Sequence, residues 1–281
     1  MTLTAVGTAQ TFALGAVAGS TILLGLPIAR VRQKRPGPRA ALAALATGIL
    51  VFLLWDVLSN GVGPVTGSLD ERRFGTFSIR AALLAAGFAI GLMGLVYYDS
   101  WMKARRESRL VGPGAAAADE FRSRGVHALS PARQLAVLIA TGIGIHNFGE
   151  GLAIGQSAAA GKVSLALVLI IGFGLHNGTE GFAVAGPLSR DDALPSWRFL
   201  GLLGLIGGAP TFLGTVIGHS WVIPALQVFF FALAAGSILY VVIELAAVCR
   251  RPAMPVLVGW MILLGITLGF ATNFVLVGSG A

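Results

Sequence analysis

The sequence predicts an all-α integral membrane protein with about eight transmembrane helices, and three observations favour this fold class. Of the 281 residues, 56% are hydrophobic and only 11% are charged, whereas about 25% of the residues in an ordinary soluble domain are charged. Several apolar stretches reach the roughly 20 residues that a helix needs to cross a bilayer. The 39 glycines are also typical of membrane helices, because small residues let helix backbones approach closely.

The apolar runs define the predicted elements in order. The eight spans cover about 11–30, 40–58, 80–98, 133–158, 162–188, 197–218, 224–248 and 254–278. The connection 99–132 is rich in Arg, Ala and Gly, a composition that favours a flexible linker without a core of its own. We therefore expect residues 1–281 to form a single transmembrane domain.

The basic residues predict how the spans are oriented. With the N-terminus outside, all but four of the 20 Lys and Arg residues lie in the inner connections, the exceptions being Arg72, Arg73, Arg80 and Lys162. The positive-inside rule then predicts an N-out/C-out protein of the cell (inner) membrane, with 99–132 in the cytoplasm. Because the formal charge of +8 is distributed in this way, we expect a lipid bilayer and not a nucleic acid as the partner.

A weak internal repeat links the second and seventh spans. Residues 46–56 align with 234–244, and in both segments an acidic residue, Asp56 or Glu244, lies eight positions after a glycine. The predicted topology runs the two spans in opposite directions, which is the pattern of an inverted-repeat transporter. Asp56 falls near the outer end of its predicted span and Glu244 near the inner end of its own. They are interpreted as the two mouths of a pathway, with interfacial carboxylates as the alternative.

A stronger repeat carries the chemistry. The fourth span contains HNFGEG, residues 146–151, and the fifth contains HNGTEG, residues 176–181. In each, the His and the Glu are four residues apart, which places them on one face of a helix with Cβ atoms about 5–6 Å from each other. Both elements fall in the middle of their spans, so we expect them near the bilayer midplane on neighbouring antiparallel helices.

Two imidazoles and two carboxylates at one depth can supply the four N and O ligands that suit Zn²⁺. The charge of the ion would also balance Glu150 and Glu180, whereas a lone ionised side chain at the midplane costs at least about 2.5–3.5 kcal/mol. The alternative is structural, with a satisfied core His and protonated Glu side chains that hydrogen-bond between helices. The duplication at matching depth favours metal binding. The single cysteine, Cys249, excludes a CxxC site.

The doubled motif, on the fourth and fifth of eight spans with both ends outside, resembles the ZIP family of zinc and iron transporters. The resemblance extends to the basic loop after the third span and to the AAGSILYVVIEL stretch of the seventh. It implies that His146, Glu150, His176 and Glu180 form a first metal site. It further implies that Asn147 and Asn177 serve an adjacent second site and that the two Glu residues are shared.

The chain departs from the family pattern at three positions. Gly149 and Thr179 precede the motif Glu residues, where the family usually has Pro. In the sixth span, Ala209 precedes Pro210, and the family often has Glu at the position of Ala209. Because that Glu would complete the second site, we expect a mononuclear arrangement.

These observations predict transport of a divalent transition metal cation, with Zn²⁺ first, and the resemblance to the ZIP family implies that the ion moves into the cytoplasm. No resident cofactor and no enzymatic activity are expected. The sequence does not decide whether the protein forms a homodimer. The donor set does not separate Zn²⁺ from Fe²⁺, Mn²⁺ or Cd²⁺. The alternative function is an intramembrane metalloenzyme, a hydrolase that uses the same His and Glu residues. Such an enzyme would call for an HExxH helix, which the sequence lacks.

Overall fold

The computed structural model describes residues 7–31, 36–107, 129–159, 163–188, 193–220, 224–250 and 254–278. Within these ranges all regular structure is helical and no strand occurs. The helices are α1 (Thr8–Ser20), α2 (Ile22–Gly25) followed by a 3-10 turn (Leu26–Arg30), α3 (Pro36–Asp70), α4 (Phe74–Glu107), α5 (Pro131–Ala159), α6 (Val163–Leu188), α7 (Trp197–Ser220), α8 (Pro224–Arg250) and α9 (Pro255–Gly278).

Seven helical segments are long and apolar enough to cross a membrane, the first being Thr8–Arg30 as a unit. This confirms the predicted class of an all-α, multi-pass membrane protein. The helix α6 has 26 residues, and many of its side chains lie outside the described part of the structure. The N-out/C-out orientation and the inverted repeat stay predictions. The predicted cytoplasmic loop 99–132 begins inside α4, and residues 108–128 lie outside the described residues.

Several helix starts follow from proline. The helices α3, α5, α8 and α9 each begin at a Pro, a residue that suits the first turn because the N–H it lacks would have no partner inside the helix.

The helix α3 continues past the predicted boundary at 58 as far as Asp70. The sequence becomes polar at Ser59 and Asn60, but both side chains bond back to the helix. Ser59 Oγ donates to the Trp55 carbonyl at 2.7 Å and Asn60 Nδ2 donates to the Asp56 carbonyl at 2.9 Å. These local bonds satisfy the polar groups without breaking the helix, and Asp56 consequently lies in the interior of α3.

The helices pack as two bundles. The first bundle consists of α1, α2, α5, α6 and α7, and the second consists of α3, α4, α8 and α9. Glycines set the closest approaches inside each bundle. A Cβ at Gly151 of α5 would collide with the Thr211 carbonyl of α7, and one at Gly214 of α7 would collide with the Phe148 carbonyl of α5. In the second bundle, Gly91 of α4 lies in the same way against the Leu233 carbonyl of α8.

The interface between the bundles is packed less closely. Among the described glycines, Gly142, Gly149 and Gly186 face the opposite bundle, and their added Cβ atoms would lie 3.3 Å from Val241, 3.5 Å from Phe231 and 3.7 Å from Ala43. These distances are at or near ordinary van der Waals contact. Backbones therefore interlock within the bundles, whereas side chains separate one bundle from the other.

The interlocking predicts a contrast between two glycines of α4. Gly91→Ala should lower the thermal stability of the purified protein, because overpacking a close helix contact costs about 1–3 kcal/mol. Gly94→Ala should leave stability unchanged or raise it, because a Cβ there meets nothing within 4 Å and Ala is the better helix former. The midpoint of thermal unfolding in detergent measures both. Equal stability of the two variants would contradict the proposed interlock.

Candidate metal centre

Three of the predicted metal ligands converge in the first bundle. His146 Nε2 of α5 lies 3.2 Å from Glu150 Oε1, one turn further along the same helix. The same nitrogen lies 3.8 Å from Glu180 Oε1 of α6. The three residues are at most 3% exposed. The structure thus brings the His and Glu of one motif together with the Glu of the other.

The side chain of His176 lies outside the described part of the structure. Its backbone belongs to α6, four residues before Glu180. The i and i+4 spacing that joins His146 to Glu150 is therefore repeated along the helix backbone. Its place in the metal centre stays a prediction from the motif.

The two motif asparagines make different bonds. Asn147 Nδ2 donates to Glu180 Oε2 at 3.1 Å and to the Gly207 carbonyl of α7 at 2.9 Å. Asn147 therefore holds the Oε2 atom of Glu180, and the Oε1 atom faces His146. Asn177 Nδ2 instead donates to the Ala18 carbonyl at 3.1 Å, at the point where the first segment changes from α1 to α2.

The break at the end of α1 explains why Asn177 turns toward Ala18. The Ala18 carbonyl also accepts from the Thr21 hydroxyl at 2.7 Å and from the Thr21 backbone N–H at 3.4 Å. Asn177 adds a donor from another helix to this carbonyl. The Oδ1 atoms of Asn147 and Asn177 are buried and have no hydrogen-bond partner among the described residues. Both oxygens are therefore available as ligands.

The second bundle brings a further acid to this centre. Asp56, in the interior of α3, interacts electrostatically with His146 and with Glu150. The sequence placed Asp56 near the outer end of its span, because the predicted span stopped at 58. The continuation of α3 to Asp70 places it within the span.

Glu244 belongs to a separate group between α4 and α8. It interacts electrostatically with Lys103 and with Tyr240, which also lies beside Asp99. Lys103 Nζ lies 2.5 Å from Asp99 Oδ2, and this hydrogen bond raises the pKa of Lys103. Asp56 and Glu244, predicted as a pair of pathway mouths, thus have different surroundings.

The donors of the centre fit a divalent transition metal in kind. Imidazole nitrogen and carboxylate oxygen are ligands that bind Zn²⁺ at about 2.0–2.2 Å, and His146, Glu150 and Glu180 supply both kinds. Within the described residues, no group of three or more His, Cys, Asp or Glu side chains is placed so that it could hold a metal ion. His176 lies outside that set.

Sequence reasoning missed two further polar groups, both on α7. The Gly207 carbonyl accepts from Asn147, and the hydroxyl of Thr211, one turn later on α7, is buried without a hydrogen-bond partner among the described residues. A backbone acceptor carries no signal in a sequence. Thr211 has one weak signal, because its hydroxyl lies within an otherwise apolar stretch.

Neither protein-family models nor curated proteins give a match for this chain. The resemblance to ZIP transporters therefore depends on the doubled motif and its place among the spans. The functional argument below depends on the residues and their geometry.

The different bonds of the two asparagines predict different losses on mutation. Asn147→Ala removes the donor that holds Glu180, and loss of such a supporting bond typically weakens metal affinity by about 10–100-fold. Asn177→Ala leaves the Ala18 carbonyl with its Thr21 donors, so we expect the smaller loss. Zn²⁺ titration of the two purified variants measures the ratio. Equal losses would contradict a positioning role specific to Asn147.

Proposed function

We propose that this protein transports a divalent transition metal cation, with Zn²⁺ as the first candidate, across the membrane into the cytoplasm. The ion would bind His146, Glu150 and Glu180, with His176 as the fourth ligand. The observation that carries this proposal is the contact of His146 with Glu150 and Glu180, all three at most 3% exposed. They lie in a protein whose described part has seven helical segments long and apolar enough to cross a membrane.

The charges of these residues support a cationic substrate. Ionisable side chains inside a membrane are costly, and they usually pair with each other and mark an ion pathway. Glu150 and Glu180 together carry two negative charges when ionised, which a divalent cation neutralises. His146 contributes a neutral nitrogen ligand when it binds metal. The charges of these three residues and of a +2 ion therefore sum to zero.

The two-bundle packing supports alternating access. The metal ligands His146, Glu150 and Glu180 belong to the first bundle, and Asp56 belongs to the second. Backbones interlock through glycines inside each bundle, whereas a Cβ added at Gly149 or Gly186 would meet the opposite bundle only at an ordinary contact distance. Each bundle is therefore suited to move as a rigid body. Rocking of one bundle against the other about a site at the midplane is a common transporter mechanism.

An intramembrane metallohydrolase is the alternative. It would need an open coordination position and a general base beside the metal. Glu150 and Glu180 both face His146 and are assigned to the metal, and the sequence lacks the HExxH pattern in which such enzymes carry their base. Transport of the ion itself, without turnover of an organic substrate, distinguishes the two functions.

Uptake by proteoliposomes tests the proposal. The purified protein should give saturable Zn²⁺ flux, and Glu150→Gln or Glu180→Gln should abolish it, because each removes a ligand charge that the bound cation requires. Glu71→Gln is the matched control, because Glu71 lies at the turn between α3 and α4 with its side chain 60% exposed. Size-exclusion profiles verify folding. Wild-type flux in folded Glu150→Gln and Glu180→Gln variants would refute the assignment.

Asp56 provides a test of the role of the second bundle. Asp56→Asn should raise the KM for Zn²⁺ by roughly tenfold, because it removes a charge whose contribution to binding we place near 1.4 kcal/mol. Asp56→Glu should keep most of the affinity, since it keeps the charge. Asp70→Asn, at the exposed end of α3, is the control. An unchanged KM in Asp56→Asn would remove Asp56 from the pathway.

A further inference from the structure

An apolar cavity of about 370 Å³ lies between three helices of both bundles. Its wall includes Ile145 and Phe148 of α5, Leu213 of α7, and Phe230 and Leu233 of α8. The volume falls within the range of about 300–1,000 Å³ that is usual for small-molecule sites. None of the metal ligands proposed above lines it.

The cavity wall has almost no side-chain hydrogen-bonding capacity. Thr141 is its one hydroxyl residue, and that hydroxyl donates to the Val137 carbonyl at 2.9 Å. Pro210 lacks an N–H, so the carbonyl four residues earlier, that of Ile206, loses its usual helical donor. This carbonyl packs instead against the backbone of α5 at Gly144, where a Cβ would collide with it. Because a buried water needs two to four polar partners, hydrocarbon fits this cavity better than water.

The cavity is continuous with a surface that faces lipid. Leu213 lines it and is 52% exposed, and on the same helix Leu205 and Ile217 are also exposed. The helix α7 is long and apolar enough to cross the membrane, so these side chains meet acyl chains. The bilayer itself therefore supplies an occupant of the right chemistry.

The position of the cavity connects it to the metal centre. Thr141, Ile145 and Phe148 share one face of α5, at i, i+4 and i+7, whereas His146 and Glu150 lie on the opposite face. Phe148 also meets Phe230 of α8 edge to face, with ring centroids 5.0 Å apart. An occupant would therefore contact the back of the helix that carries the metal ligands, at a contact between the two bundles.

We propose that this cavity binds one acyl chain of a bilayer phospholipid, and that the bound chain controls the movement of the first bundle against the second. The binding depends only on the cavity. The control of movement depends on the transport function proposed above. The two parts are tested separately.

Photolabelling tests the binding. The full chain is reconstituted with a phospholipid that carries a diazirine near the end of one acyl chain, and adducts are mapped by mass spectrometry. Adducts should concentrate on Ile145, Leu213 and Leu233 relative to Leu205, which is more exposed at 62% but outside the cavity wall. Labelling of Leu205 equal to or above that of the cavity residues would indicate annular lipid only and would overturn the proposal.

A filled cavity provides the second comparison. Ile145→Trp should reduce adducts at Leu213 and Leu233 by about tenfold or more, which corresponds to about 1.4 kcal/mol of lost binding, and should leave Leu205 labelled as before. Leu205→Trp places the same side chain on the lipid face and should not change the adducts. If Ile145→Trp fails to fold, Leu213→Trp replaces it, and the adducts are then compared at Ile145 and Leu233. Unchanged adducts in the folded filled variant would overturn the site.

Zn²⁺ uptake tests the control of movement. The filled variant should change the maximal rate by about tenfold, equivalent to about 1.4 kcal/mol in the barrier, with little change in KM, because the metal ligands are intact. An unchanged rate would refute the proposal that the bound chain controls the movement of the bundles, while the labelling result would stand. Absence of Zn²⁺ flux in the unmodified protein would refute the transport proposal, together with the control that rests on it, and would leave the acyl-chain site supported by its adducts.

Discussion

The burial of ionisable side chains inside an apolar helical protein is the constraint on which the rest of the arrangement depends. His146, Glu150 and Glu180 are removed from solvent, and the hydrocarbon around the helices offers them no replacement for water. Each therefore needs a partner from the protein. Glu150 and Glu180 find His146, and Glu180 also finds Asn147. These contacts require α5 and α6 to present their motifs at one depth.

The glycine packing serves the same constraint. Asn147 reaches the Gly207 carbonyl at 2.9 Å only because α5 and α7 approach closely, and Gly144 and Gly151 permit that approach. A bulkier residue at either position would move α7 away and remove one partner of Asn147. The bond from Asn147 to Glu180 depends in turn on this placement. Backbone contact at glycines and the position of a buried carboxylate are therefore parts of one arrangement.

Much of this fold could be predicted from the sequence, because apolar runs set the helices and helical spacing sets the faces. The contact between His146 and Glu150 follows from the i and i+4 rule. Local hydrogen bonding limited the prediction elsewhere. The predicted second span ended at 58, before the polar residues Ser59 and Asn60. Both side chains bond to their own helix, so α3 continues and Asp56 lies within it.

The bond from Asn177 to Ala18 could not be predicted for a related reason. It depends on a break at Thr21, and a threonine within an apolar run is a weak breaking signal, since its hydroxyl can also bond within an unbroken helix. The apolar cavity likewise depends on a tertiary coincidence. Gly144 of α5 faces the Ile206 carbonyl of α7, which has no helical N–H donor because Pro210 lies four residues later. Nothing in the sequence indicates that Gly144 and this turn of α7 meet.

The placement of Asp56 in the second bundle gives the proposed transport a physical means of coupling. A ligand shifts a conformational equilibrium only when it interacts differently with the two states. With Glu150 and Glu180 ionised, the ion-free first bundle presents two negative charges to Asp56, and a bound +2 ion cancels them. With Asp56 also ionised, loading would remove a repulsion between the bundles, in surroundings where charges are screened poorly. In the proposed movement Asp56 would stay with the second bundle and the ligands would move with the first, so the strength of this repulsion would depend on how the bundles are placed.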